Sequence, residues 1–216
     1  MAKKYVEEGA DELVFLDITA TIEKRKTLAE MVNKIAAAIN IPFTVGGGIN
    51  SVEDASTVIQ AGADKVSVNS SAVKNPQLIA DLAARFGSQC VVVAVDTRDV
   101  NGIQKVFVNG GNIETEWKTL DWVKKVEELG AGEILLTSMD GDGTKTGFNI
   151  DITKAVADAV NLPVIASGGA GAMKDFVDVF TKTKASGGLA ASIFHFGEIP
   201  IPTLKDYLKQ QNIPIR

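Results

Sequence analysis

Four aspartates, Asp17, Asp96, Asp140 and Asp142, stand where runs of apolar residues stop. Apolar walls disfavour the charged form of a carboxyl group and raise its pKa toward the range of a general acid or base. Asp96 fits best, because the apolar run from Val91 to Val95 leads directly into it. A helix cap, or a carboxylate held by a nearby lysine, is the competing role for any one of the four. A second set is made of glycine: "VGGGIN" at 45–50 and "ASGGAG" at 166–171. Such runs either bend the chain or bare its backbone to a ligand. Followed by a helix, each can offer N–H groups to an anion. Asn69 and Ser70 in "VSVNSSA", and Ser192 in "LAASIF", end the strands that come next and can complete two phosphate sites.

Other chemistries fail on spacing. Gly46-Gly47-Gly48-Ile49-Asn50-Ser51 is not the dinucleotide fingerprint G-x-G-x-x-G. "SMDGDGTKTG" is no P-loop, since Ser138 stands where the first glycine belongs, and Lys145 occupies the glycine position of a calcium loop. Cys90, the single cysteine, reads as a core thiol. His195, the one histidine, lies between two phenylalanines and reads as packing or partial surface, as do Trp117 and Trp122 as packing residues. No cofactor and no metal are expected.

The elements that must position these residues alternate. Apolar runs "ELVFLD", "IPFTV", "KVSVN", "VVVAVD", "EILLTS", "LPVIAS" and "GLAAS" are each followed by an amphipathic segment, which predicts seven parallel strands covered by helices. Thr27 and Glu30 predict a capping box for the first of these helices, with Leu28, Met31, Val32, Ile35 and Ile39 as its apolar stripe. Ser51, and Asn75 with Pro76, open two others. Two turn signals, Asn101-Gly102 and Asn109-Gly110, predict a β-hairpin inserted at about 99–115.

An internal repeat selects the architecture. Asn40-Ile41-Pro42 recurs as Asn161-Leu162-Pro163 (161 − 40 = 121), Gly47-Gly48 as Gly168-Gly169 (168 − 47 = 121), and Glu12 as Glu133 (133 − 12 = 121). Two similar halves predict a (β/α)8 barrel, a TIM barrel, with residues 1–216 as a single domain. Glu12, Lys65 and Glu133 each precede a strand, so a closed barrel would gather them at its N-terminal mouth, as a solvated rim or an ion-paired ring.

Composition excludes other classes. The chain of 216 residues is 45% hydrophobic and 23% charged, which suits one globular core. A net charge of −5 gives no footprint for nucleic acid. Neither a membrane span nor a secretory signal is legible, which predicts a cytoplasmic protein with no membrane partner.

Together "DELVFLDITA", "PFTVGGGI", "GADKVSVN", "GSQCVVVAVD", "GAGEILLTSMDGDGTKTG", "IASGGAG" and "LAASIFHFGEI" resemble the cyclase subunit of imidazole glycerol phosphate synthase, from about Tyr5 to Arg216. The sister sugar-phosphate isomerase of histidine biosynthesis shares the repeat and the glycine turns, and is less similar at "GEILLTSMDGDGTKTG" and "FHFGEI". The resemblance implies a lyase that takes ammonia from a glutaminase subunit in a heterodimer. Its substrate is a bisphosphorylated ribulosyl aminoimidazole carboxamide intermediate; ring closure and C–N cleavage release imidazole glycerol phosphate and aminoimidazole carboxamide ribotide. Carried over by motif, one phosphate meets Gly48, Asn69 and Ser70, and the other Gly143, Gly169 and Ser192. Asp96 matches a catalytic carboxylate, Asp17, Thr137 and Asp142 match positions lining the site, and Glu12, Lys65 and Glu133 match the charged ring where ammonia enters.

The chain also departs from that pattern. Family members begin with a strand carrying a second catalytic aspartate and then a lysine-bearing loop, whereas this sequence starts at "MAKKYVEEGADE". Seven of eight strands are therefore expected, with open strand edges and impaired turnover, since loss of one acid/base group costs about 10²- to 10⁴-fold. A noncatalytic fragment that keeps phosphate binding or glutaminase docking is the further alternative. Ser186-Gly187-Gly188 replaces an acidic residue and alanines, which should weaken the last strand.

Overall fold

The structure is a computed structural model that describes residues 2–16 and 24–216. The chain divides into two compact units, one running up to Val93 with Leu129–Gly132, the other Ala94–Glu128 with Glu133–Arg216.

The first unit contains α1 (Ala2–Glu7), β1 (Leu13–Leu16), α2 (Lys24–Ala36), β2 (Phe43–Gly46), α3 (Val52–Gln60), β3 (Lys65–Val68), α4 (Ser70–Lys74), α5 (Gln77–Phe86) and the start of β4 (Val91–Val100). Its strands pair in parallel in the order β1-β2-β3-β4. All four residues of β2 are buried, Thr44 among them, as in a strand covered on both faces. Ser51 caps α3 by accepting the Asp54 N–H at 3.1 Å, and Gly87, at φ 87°, ends α5. The start of α2 differs from expectation. Lys24 is already helical, so Thr27 lies within the helix instead of at its cap; Lys24, Arg25 and Lys26 are good helix formers. Leu28 and Val32 are buried, whereas Met31 is 38% exposed, because three residues on from Leu28 lies about 60° off the stripe's axis.

The second unit contains the rest of β4, β5 (Ile103–Val108), β6 (Ile113–Lys118), α6 (Thr119–Glu128), β7 (Glu133–Ser138), α7 (Ile150–Ala159), β8 (Val164–Ser167), α8 (Met173–Lys182), β9 (Gly187–Leu189), α9 (Ser192–His195) and α10 (Ile201–Gln210). Strand β4 turns back through Asn101 and Gly102, both at positive φ, into antiparallel β5, which pairs with β6. The parallel strands follow the order β4-β7-β8-β9. Phe148, Phe176, Ile193, Leu204 and Leu208 fill the core beneath β8, with Phe148 and Phe176 edge-to-face at 5.2 Å. Trp122 is wholly buried, a packing residue as expected. Among the described residues the parallel strands number seven, alternating with helices as in a (β/α)8 barrel.

The repeat extends to hydrogen bonds. Leu13 N–H donates to Pro42 C=O at 2.9 Å, and Ile134 N–H to Pro163 C=O at 3.0 Å, both pairs 121 apart (134 − 13; 163 − 42). Strand β1 pairs Leu13 with Phe43, and β7 pairs Ile134 with Val164, at the same offset. The third strands differ by one: Thr44 faces Lys65 and Ile165 faces Gly187, so Lys65 corresponds to Gly187 (187 − 65 = 122). Ser70 then corresponds to Ser192, the first residues of α4 and α9.

One surface cluster makes a pH prediction. The Asp158 carboxylate is held by Lys154 at 2.5 Å and Lys184 at 2.8 Å, and hydrogen bonds from these ammonium groups lower its pKa from 3.8 to about 2. A lowered pKa means that the stabilisation is present above 3.8 and fades as the pH falls toward 2. An NMR titration should find the Asp158 midpoint near 2, moving upward in Lys154→Met.

Candidate active site

The glycine turn of the first unit follows β2. Gly46 ends the strand because no side chain fits: a Cβ there would lie 2.8 Å from Leu16 Cδ2 and 2.9 Å from Ser67 Cβ. Gly47 and Gly48 take φ of 96° and 67°, the region that favours glycine. Gly48 is exposed, and no described group accepts from the amides of Gly48 or Ile49. Ser71 Oγ donates to the Ile49 carbonyl at 2.7 Å, tying this turn to α4, where Asn69 is the N-cap and Ser70 the first residue. Gly48, Asn69 and Ser70 thus lie on neighbouring turns after β2 and β3.

The second unit carries the equivalent turn after β8. Gly168 and Gly169 have φ of 88° and 99°. A Cβ on Gly169 would come 2.1 Å from the Gly147 carbonyl, and Gly147 N–H donates to the Gly169 carbonyl at 2.8 Å. Close backbone approach therefore clamps this turn to the loop 139–149, which holds exposed Asp142 and Gly143. Gly143, at φ 74°, has nothing within 4 Å of a Cβ, so only its backbone conformation calls for glycine. Lys145 closes the loop's far side through both Glu198 carboxylate oxygens at 2.7 Å. The amides of Gly169 and Ala170 again donate to nothing described. Ser192 opens α9, half-buried, after β9.

Asp96 is half-buried on β4 in register with Phe107 of β5. Met139 N–H donates to the Thr97 carbonyl at 2.8 Å, joining the loop after β7 to β4 one residue past Asp96. Thr137 faces Ser167 on β8. Asp140 is occupied elsewhere: it accepts the Asp99 N–H at 3.0 Å and lies 3.9 Å from Arg98 Nε. Asp17 lies outside the described residues. At the strand starts, Lys65 Nζ donates to Glu12 at 2.9 Å, an ion-paired arrangement within the first unit, and Glu133 is the first residue of β7. A cavity of about 690 Å³ beside the β4–β5 turn is lined by Asp99, Asp140 and Asn149, and contains none of the anticipated phosphate residues.

A family model described as histidine biosynthesis protein matches residues 1–200. The chain belongs to the histidine biosynthesis protein family. Among curated histidine-biosynthesis relatives, it is 59% identical over 212 residues to the imidazole glycerol phosphate synthase subunit HisF of Cytophaga hutchinsonii, covering 98% of this chain and 84% of that protein. The HisF subunits of Flavobacterium psychrophilum and Natranaerobius thermophilus are 59% and 57% identical over the whole chain and 86% of their own lengths. The chain thus resembles HisF and has the α/β, (β/α)8 class of this histidine biosynthesis family.

Two residues of this histidine biosynthesis protein were not anticipated from its sequence. Asp54 Oδ2 accepts the Asn50 N–H at 2.9 Å, and Asp175 Oδ2 accepts the N–H groups of Gly171 at 2.9 Å and Ala172 at 2.8 Å. Both are the third residue of the helix after a glycine turn. The repeat offset was the available signal, since 175 − 54 = 121.

Proposed function

We propose that the chain acts as the cyclase subunit of imidazole glycerol phosphate synthase in the cytoplasm. It would receive ammonia from a glutaminase partner and join it to the bisphosphorylated ribulosyl aminoimidazole carboxamide intermediate, releasing imidazole glycerol phosphate and aminoimidazole carboxamide ribotide. The observation that carries this reading is 59% identity to HisF over nearly the whole chain. No described helix is long and apolar enough to cross a membrane.

In this reading the substrate's two phosphates are bound by the two glycine turns, one at Gly48, Asn69 and Ser70, the other at Gly143, Gly169 and Ser192. That the amides of Gly48, Ile49, Gly169 and Ala170 donate to no described group supports it, because a phosphate oxygen is a strong acceptor for such groups. Asp96 moves protons during ring closure and C–N cleavage, with Thr137, Asp17 and Asp142 lining the reacting centre. Glu12, Lys65 and Glu133 form the ammonia inlet on the glutaminase side.

Product analysis with ammonium salt and the bisphosphorylated intermediate tests the reading: both imidazole glycerol phosphate and the ribotide should appear. Sugar isomerisation without ring closure would assign the sister isomerase activity instead. For the inlet, Glu12→Gln should lower glutamine-driven turnover more than turnover driven by added ammonium, because only the former needs the partner. Equal losses in both assays would remove Glu12 from that role.

A further inference from the structure

We propose that Asp54 and Asp175 are paired positioning residues, each holding a glycine turn in the form that presents its free amides to a phosphate. The inference rests on the anion reading above. Its ground is how the turn amides are shared out. In the second unit Asp175 takes the N–H groups of Gly171 and Ala172, and those of Gly169 and Ala170 stay unbonded. In the first unit Asp54 takes the N–H of Asn50, and those of Gly48 and Ile49 donate to no described group. Every member corresponds at one offset: 169 − 48, 170 − 49, 171 − 50 and 175 − 54 all equal 121.

The surroundings of the two acids differ, and the acid is common to both. Asn50 corresponds to Gly171, Ser51 to Ala172 and Glu53 to Lys174. Ser51 caps its helix with a hydroxyl, and Ala172 has none to offer. Ser51 and Asp54 serve different donors, the hydroxyl taking the Asp54 N–H inside the helix and the carboxylate the Asn50 N–H in the turn before it. Among the described residues, the N–H of the residue that closes each glycine run, Asn50 or Gly171, goes to that acid. Fixing that peptide plane restricts the preceding φ and ψ, and so the two amides before it, which is pre-organisation for an anion. Asp175 also reaches the clamped loop, since a Cβ on Gly147 would lie 3.4 Å from its Oδ1. The carboxylate charge itself opposes a bound phosphate. An amide that keeps the acceptor and drops the charge should therefore bind phosphate at least as well.

Inorganic phosphate is the probe, followed by ³¹P NMR and calorimetry on the whole chain, with Tm and the KM of the bisphosphorylated intermediate measured alongside. The parent should bind two phosphates. Asp54→Ala and Asp175→Ala should each weaken one of them by roughly tenfold or more, since the charge-assisted hydrogen bonds that hold the turn are lost, those to Gly171 and Ala172 in the case of Asp175. Each should raise KM and leave kcat within about twofold. Asp54→Asn and Asp175→Asn, which keep the acceptor and the fold, should match or exceed parent affinity. Unchanged phosphate affinity in the alanine variants overturns the proposal, as do asparagine variants that fall as far as alanine. A lowered Tm with KM unmoved would assign the acids to helix capping and also overturn it. If the parent binds no phosphate, the anion reading fails first, and the inference fails with it.

Discussion

Asp96→Asn should lower ammonia-dependent turnover by about 10²- to 10⁴-fold while leaving phosphate affinity within about twofold of the parent. The asparagine keeps the size and the hydrogen-bonding oxygen but can neither take nor return a proton, so the loss falls on kcat and spares the ground-state binding. Its position argues for the size of the effect. Asp96 follows an apolar run in which Val93 and Val95 are fully buried, and the next residue, Thr97, accepts the Met139 N–H from the loop after β7. Asp140, in contrast, already accepts the Asp99 N–H, so Asp140→Asn should alter the join between β4 and its neighbouring loop more than the chemistry. Single-turnover measurement of product formation distinguishes the two. If Asp96→Asn turns over at the parent rate, Asp96 is not the acid or base.

The second large effect is steric. Gly169→Ala should cost about 3 kcal/mol of stability, the sum of a disfavoured positive φ and a broken backbone contact. Its Cβ would stand 2.1 Å from the Gly147 carbonyl, where the obstacle is main chain and cannot rotate away. The loop must then lift from the turn, breaking the Gly147–Gly169 hydrogen bond of 2.8 Å. Phosphate affinity at that turn should fall with it. Gly143→Ala serves as the control, because there the φ of 74° is the whole cost and a methyl group meets open space. It should lose only about 1 kcal/mol. Chemical denaturation of both variants reads the difference directly; equal losses would show that the clamped contact contributes nothing.

The two predictions depend on different kinds of information, and so does the division between chain and fold. The sequence by itself carried the alternation of apolar runs and amphipathic segments, because a strand buried on both faces and a one-sided helix impose periods that local reading detects. It also carried the glycine turns, whose φ values near 90° no other residue adopts cheaply, and the 121-residue repeat, which is a property of order alone. Asp96 was read as a strand end, but it lies inside β4, which continues to Val100 and pairs with β5 from Asp96 onward.

Tertiary structure decided what order cannot. Asp140 and Asp142 are two residues apart and alike in chemistry, yet only the pairing of β4 with the strand beside it shows that Asp140 bonds to Asp99 while Asp142 stays exposed. The correspondence of Ser70 with Ser192 depends on a one-residue change of register in β9, which only strand pairing shows. Thr27 sits inside α2, whose preceding residues Lys24, Arg25 and Lys26 are all helical and good helix formers. Asp54 and Asp175 look in sequence like ordinary acids in the first turn of a helix. Their bonds reach only three or four residues back, and the signal for them in the sequence was their shared place in the 121-residue repeat; which turn amides they take and which they leave was shown only by the folded turns.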